Sequence, residues 1–489
     1  MVNLQGLLSR PVFRTKSVKQ LMESTGGEHA LKRVLSPIEL ILLGVGAIVG
    51  TGIFVITGVA AAKYSGPALV LSFIFAGVAC LFAALCYAEF AAMVPVAGSA
   101  YTYGYASLGE IWAWIIGWDL ILEYSVAIAT VAVGWSGYIV NLFTEVGIAL
   151  PAALINPPGV EGGVINLPVI LIIAAITALL IVGVKASATV NNVIVAIKLG
   201  VLVIFIYLGI GFINPVNWTP FTPFGWGGVV TGAAIVFFAY IGFDAVSTAA
   251  EEVKNPQRDL PIGILGSLLI STALYIVVSL VLTGIVPYYE LNVPAPVAFA
   301  LENVGVAWGG ALVSIGALFG ITSVMLVLLF GQTRIFFAMS RDGLLPGTFK
   351  EVHPVYRTPA KATLLVGTVT ALIGAFLPLE SIAELVNIGT LAAFIIVSAG
   401  VIVLRRTHPD TPRPFRAPLV PVLPALAIGF CAYLIIALPT ITHLRFIIWL
   451  LVGLVIYYFY GIHHSCLLNP PVPGKTSPCE ESPPPSDDT

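Results

Sequence analysis

Apolar residues run in long stretches separated by short clusters of turn-forming and charged ones, and no stretch alternates with a period of two. A helix that crosses a bilayer needs about 20 mostly apolar residues. Stretches of that kind fall at 36–62, 67–93, 108–139, 166–184, 189–212, 226–251, 260–285, 296–340, 361–377, 380–404, 418–440 and 445–465. The eighth is too long to lie wholly within a bilayer, so its polar end, from about Gln332, is expected to project into water. Without period-two alternation a β-barrel is excluded. The pattern predicts an all-α integral membrane protein with twelve spans.

Composition narrows the alternatives. The chain has 489 residues, 58% hydrophobic and only 9% charged, with a mean hydropathy of +1.01. A soluble domain usually carries about 25% charged residues, so a water-soluble enzyme of this length is excluded. A net charge of -2 argues against nucleic-acid binding, which needs a basic footprint. Five cysteines without a CxxC, and histidines without metal-ligand spacing, point to neither a disulfide scaffold nor a metal site. No GxSxG, Walker or zincin motif occurs, and no cofactor is expected. The first 35 residues are polar and basic, unlike a cleavable signal peptide.

Orientation follows from the basic residues, which favour cytoplasmic loops. With the N-terminus inside, 19 of the 22 fall on the cytoplasmic side, including Arg10, Lys185, Lys254, Arg341, Arg405 and Lys475. Lys63 and Arg445 fall outside, and Lys198 alone lies within a span. Both termini are therefore expected in the cytoplasm, in the plasma membrane of the cell. Residues 11–30 suit a short interfacial helix, and the Pro-, Ser- and acid-rich tail at 466–489 suits disorder. The expected organisation is a cytoplasmic segment at 1–35, five spans at 36–212, five more at 226–404, two at 418–465, and the tail.

Two spans carry interruptions. The first contains GVGAIVGTGIFVITG, with Gly50-Thr51-Gly52 at mid-depth. Glycine costs about 1 kcal/mol relative to alanine inside a helix. Gly44, Gly46 and Gly58 are explained by close packing, but a break at 50–52 would free backbone groups that must face protein or a polar cavity. The sixth span contains IVFFAYIGFDAVSTAAEEVKNPQRDLP, where Gly242 and Asp244 sit near mid-depth, about 190 residues on. Paired interrupted helices in corresponding halves point to a secondary transporter built from inverted repeats. A helix restarting at the N–H groups of Val49, Gly50, Thr51 and Gly52 suits a carboxylate. A helix stopping at the carbonyls of Phe238, Ala239 and Ile241 suits an ammonium. Together they suit a free amino acid.

These residues resemble the amino acid-polyamine-organocation transporters, in particular the cationic amino acid transporter branch. The motifs are GAIVGTGIF (46–54), YAEFAAMVPVAGSAYTY (87–103), GWDLILEY (117–124), EEVKNPQRDLPIGI (251–264) and AMSRDGLLP (338–346), and the likeness spans about 30–465. It implies a LeuT-like 5+5 inverted repeat with two added helices, and amino acid uptake by alternating access. By the same resemblance the backbone at Ile48, Thr51 and Gly52 holds the substrate carboxylate, and Phe238, Ala239 and Ile241 hold its amino group. Leu328, with Thr322 and Ser323 a turn earlier, resembles the wall that limits side-chain size in this branch. A leucine there implies that small neutral amino acids such as alanine fit better than arginine.

A charge at mid-bilayer is costly and needs a partner or a task. Lys198, about nine residues into the fifth span, suits either a structural contact, with Asp244 or with carbonyls of the first helix, or a lysine that exchanges protons during transport. Taking a lysine out of water favours its neutral form, and a lysine at this place resembles the substitute for a sodium ion in sodium-independent relatives. Asp244 suits either a cap on the exposed N–H groups of the sixth helix or a proton site. Glu123, one turn beyond Asp119, suits a proton acceptor, a substrate contact or a hydrogen bond to the broken first helix. Glu384 suits an outer gate or simple contact with water.

The expected function is proton-coupled uptake of small neutral or cationic L-amino acids, with substrate, protons and lipid as partners. A small accessory membrane partner is not legible in the sequence. Sodium coupling and exchange are alternatives within the class, and an amino acid sensor that no longer transports is the alternative outside it.

Overall fold

The computed structural model describes residues 14–15, 35–96, 99–160, 162–182, 188–351, 353, 356 and 358–467. The interfacial helix expected at 11–30 and the tail expected at 466–489 lie outside these residues, save 14–15 and 466–467, as does Lys185. Each of the twelve apolar stretches coincides with helix.

The first stretch forms α1, Pro37–Ile48, and α2, residues 52–65, in which Gly52–Ile56 and Ala61–Ser65 are wound as π-helix. Then follow α3, Leu69–Met93, and α4, Ser99–Ser107, a short helix that hydropathy alone does not announce. Next come α5, Glu110–Glu145, α6, Leu167–Val182, and α7, Ala188–Gly209. The sixth stretch begins as α8, Gly225–Val236, and continues as two 3-10 segments, Phe237–Tyr240 and Asp244–Glu252. The chain then forms α9, Pro256–Ile285, α10, Pro296–Asn303, α11, Ala307–Arg341, α12, Ala360–Phe376, and α13, Leu379–Thr407. It ends in α14, Val422–Ile436, and α15, Thr440–Ile456. Among the described residues, eight helical segments are long and apolar enough to cross a membrane, and there are four shorter apolar helices, one before the first of them and three between later ones.

Local chemistry sets several boundaries. Ser36 and Glu39 cap α1 reciprocally, the Ser36 N–H donating to the Glu39 carboxylate at 2.7 Å. Proline occupies the first positions of α1, α9 and α10, where its missing N–H has no partner to lose.

The eighth stretch differs from expectation in two ways. It is two helices, α10 and α11, separated by a turn at Gly305 with φ of +84°. Gln332 does not project into water. It is buried, and its amide donates to the Ile121 carbonyl at 3.0 Å and to the Ser125 hydroxyl, so its polarity serves α5 rather than solvent.

The packing is paired. α1 lies on α9 as α8 lies on α3, and α5 lies on α13 as α11 lies on α7. α3 also pairs with α9, α5 with α11, and α6 with α12. Counting the first ten stretches as a ring, a shift by five turns α1–α9 into α8–α3 and α5–α13 into α11–α7, and returns each of the other three pairs to itself. α14 and α15 lie against α13 outside this set, and α15 leaves Ile447, Ile448, Leu451 and Val455 exposed. In a bilayer such a face meets lipid tails.

Candidate functional site

The two interruptions meet each other. α1 ends with the Val49 N–H donating to the Val45 carbonyl at 3.0 Å, and the next ladder bonds run from Ile53 and Phe54 to the Gly50 carbonyl. The N–H groups of Gly50, Thr51 and Gly52 thus precede the restarted helix, as the unpaired donors of any helix start do. Val49 was expected among these donors; its N–H is instead spent on closing α1. Opposite, α8 gives way to a single 3-10 turn, then extended Ile241 and Gly242 at φ +119°. A side chain on Gly242 would strain this backbone and meet Ala47 at 3.0 Å, while a Cβ on Gly52 would lie 2.3 Å from the Ala239 Cα. Glycine at both places lets the broken segments cross at backbone contact.

Between them lies a cavity of about 20 Å³. The first break contributes Ala47, Ile48, Gly50, Thr51 and Gly52, and the second contributes Phe238 and Ile241. Ala127 and Val131 of α5 and Val324 and Leu328 of α11 complete the wall. Seven of the nine expected substrate residues line this space; Val49 and Ala239 are buried behind it. The volume holds about one water, so admitting a larger ligand requires the walls to part. Among the described residues that line it, Thr51 alone has a polar side-chain atom, and its hydroxyl donates to the Val131 carbonyl at 3.4 Å.

The freed carbonyls are partly engaged. That of Phe238 accepts from the Ile241 N–H at 3.3 Å. The Tyr275 hydroxyl of α9 lies 2.9 Å from the Ile48 carbonyl and 2.8 Å from that of Ala239, bridging both breaks. The Asn387 amide of α13 donates to Ala234 at 2.7 Å and Ile235 at 3.2 Å, satisfying the last carbonyls of α8. Sequence reading missed Tyr275 and Asn387. A polar residue deep in an apolar stretch was the available signal for both.

The charged groups sit one layer out. Lys198 is fully buried on α7 and donates to the Gly46 carbonyl in the last turn of α1, its stem against Gly320 of α11. Of the two structural partners considered for it, the first helix is the one it meets; no ion pair joins it to Asp244. Asp244 opens the second 3-10 segment, with the N–H groups of Gly242 and Ala245 beside its carboxylate. Glu123 faces the Thr390 hydroxyl of α13, with Asp244 and Asp119 nearby. Glu384 is mostly buried and accepts from the Thr442 hydroxyl at 2.6 Å. Among the described residues no group of histidines, cysteines and carboxylates could hold a metal.

Two broken apolar helices crossing at mid-length, with backbone donors facing backbone acceptors, define a membrane transporter of small solutes. The profile described as "Amino acid permease" matches residues 35–460, and the chain belongs to that family, within the amino acid-polyamine-organocation superfamily. It is 54% identical to the branched-chain amino acid permease BcaP of Bacillus subtilis, over 93% of this chain and 99% of that one. It is 52% identical to the methylthioribose transporter of the same organism, again over 93% and 99%. Human cationic amino acid transporter 4 is 38% identical over 83% of this chain and 65% of its own length.

Proposed function

We propose that this chain is a secondary active permease for neutral, apolar L-amino acids, branched-chain ones among them, and that entry is coupled to protons. The observation that carries the reading is the cavity. Its polar atoms are backbone and Thr51, grouped at the two breaks, while its other walls are carbon. The N–H groups at 50–52 suit a carboxylate and the carbonyls of Phe238 and Ile241 suit an ammonium. Ala127, Val131, Val324 and Leu328 leave a neutral side chain unopposed. Among the described residues no carboxylate lines the cavity to meet a cationic side chain, and the printed name of the 54% relative specifies branched-chain substrates.

The helix pairing that survives a shift by five supports a LeuT-like 5+5 inverted repeat with two added helices, twelve spans in all. The distribution of basic residues supports cytoplasmic termini in the plasma membrane. For coupling, Lys198 supports protons over sodium, because an ammonium group reaching the first break at Gly46 occupies ground that a sodium ion would need. Asp244 and Glu123 are then the carboxyl groups placed to exchange a proton with the site.

A second substrate reading rests on the 52% relative named for methylthioribose, a thioether sugar without an amino acid backbone. Competition for radiolabelled leucine uptake into proteoliposomes separates the readings. Unlabelled leucine, isoleucine, valine and alanine are expected to compete, and arginine and methylthioribose are not. Competition by methylthioribose alone would favour the sugar. If leucine were bound but never taken up, the protein would be a sensor. Accumulation driven by a sodium gradient, or only by internal amino acid, would replace protons by sodium or by exchange.

A further inference from the structure

Among the buried carboxyl groups that the proposed coupling leaves unused, Asp119 is the one beside Glu123. Asp119 of α5 is 1% exposed, and neither carboxylate oxygen has a hydrogen-bond partner. Its Oδ1 is aimed at α13, where a Cβ on Gly389 would lie 2.7 Å away. One turn further, Glu123 is 2% exposed, with Oε2 equally unpartnered. Groups four residues apart stack on one helix face, with Cβ atoms about 5–6 Å apart. Continuing the same interval reaches Ala127 and Val131, which line the cavity. Towards the start of α5, on a different face from Asp119, Gly117 packs against Met339 and Tyr101, and the Tyr101 hydroxyl donates to Asp342 at 2.6 Å at the end of α11. One face of α5 therefore carries Glu123 and Asp119 in line with the cavity, with Asp119 on the side of the helix end that basic residues assign to the cytoplasm.

We propose that Asp119 is a proton relay between Glu123 and the cytoplasm. The proposal rests on the proton-coupled reading of the site. A buried carboxylate without a donor is poorly tolerated as an ion, so Asp119 holds a proton at rest and sheds it when water reaches its end of the helix. Emptied, it can take the next proton from Glu123. The O–H bond of Glu123 breaks and that of Asp119 forms, directly or through one water, and the Asp119 proton then leaves to cytoplasmic water. The groups around the pair are Asp244 following the break of the sixth stretch, Thr390 of α13, Tyr87 of α3, Tyr124 of α5 itself and the Gln332 amide of α11. None of these is a cation, so none holds either carboxyl group permanently ionised.

The test compares the full-length wild type with Asp119→Asn and Asp119→Glu in proteoliposomes. Leucine counterflow without a gradient needs no proton turnover and is expected to stay within about two-fold in both variants. Uptake driven by an inward proton gradient is expected to fall at least ten-fold in Asp119→Asn and to return in Asp119→Glu. If the wild type ignores the proton gradient, the coupled reading itself fails. If the wild type responds and Asp119→Asn responds equally, the relay alone is overturned. Equal loss of counterflow and driven uptake would mark a structural role and also overturn it. Should Asp119→Asn fail to fold, labelling of the wild type by a hydrophobic carbodiimide still decides, since that reagent adds to protonated buried carboxyl groups. An Asp119 adduct that fades as pH rises is expected, and labelling of Glu123 without Asp119 at every pH overturns the relay.

Discussion

At the scale of single residues, the site depends on a few groups that keep two broken helices in contact. Gly52 is the least replaceable, because a methyl group there would enter the Ala239 backbone at 2.3 Å. Gly52→Ala is expected to abolish leucine uptake in a protein that still inserts, measurable by uptake normalised to protein recovered. Tyr275→Phe removes the hydroxyl shared by the Ile48 and Ala239 carbonyls. A buried carbonyl left without its donor costs about 1–3 kcal/mol, so a lower unfolding temperature is expected together with weaker leucine binding. Leu328→Ala tests the wall. One hydrocarbon step in an apolar pocket shifts preference about 10–200-fold, and the variant is expected to gain phenylalanine uptake relative to leucine. Residue identities explain how much of this was legible. The glycines that mark the breaks are visible because they are costly inside a helix. Tyr275 and Asn387 lie 227 and 153 residues from carbonyls they satisfy, and no local pattern pairs groups so far apart. The Val49 donor was misassigned for a related reason: where the ladder of α1 closes depends on one residue of helix, which spacing alone does not fix.

At the scale of elements, two ion-pair sites hold α13 at its opposite ends, and they differ in what water can do to them. Near its C-terminus, Glu89 of α3 accepts from Arg405 through both oxygens, lies 3.4 Å from Arg413, and accepts from the Ala417 N–H at 2.8 Å. Glu89 and Arg413 are nearly fully buried. Near its N-terminus, Lys63 of α2 meets Glu380 at 2.5 Å, with both side chains about two-fifths exposed. Removing one partner of a buried pair typically costs about 3–5 kcal/mol, whereas an exposed pair is worth about 0–1 kcal/mol. Glu89→Gln is therefore expected to lower the unfolding temperature clearly, and Lys63→Met to leave it nearly unchanged. A thermal melt of the two variants side by side checks this, and equal shifts would contradict it. Helix positions were largely legible, since each apolar stretch became helix. The eighth stretch was misread because hydropathy ignores partners: Gln332 looks like a water-facing end, yet its amide is satisfied inside by Ile121 and Ser125.

At the scale of the whole molecule, a 20 Å³ space means that entry of an amino acid, as proposed, requires the helices around the cavity to move apart. Lys198 ties α7 to the last turn of α1 at Gly46, and the proposed coupling gives that contact the task of holding or releasing α1. Lys198→Ala is expected to lose uphill leucine accumulation under an inward proton gradient while retaining leucine binding. Accumulation that persists unchanged would remove this lysine from coupling. The all-helical, membrane-spanning character was legible in the sequence because bilayer thickness and backbone satisfaction each leave a one-dimensional trace. The partner of Lys198 was not, since carbonyl and carboxylate acceptors are equally plausible until α7 and α1 are placed together. The most direct measurement is a structure determined with leucine bound. The account predicts the leucine carboxylate at the N–H groups of Gly50, Thr51 and Gly52, its ammonium at the carbonyls of Phe238 and Ile241, and its side chain against Val324 and Leu328. Leucine bound elsewhere, or with its carboxylate away from residues 50–52, would contradict it.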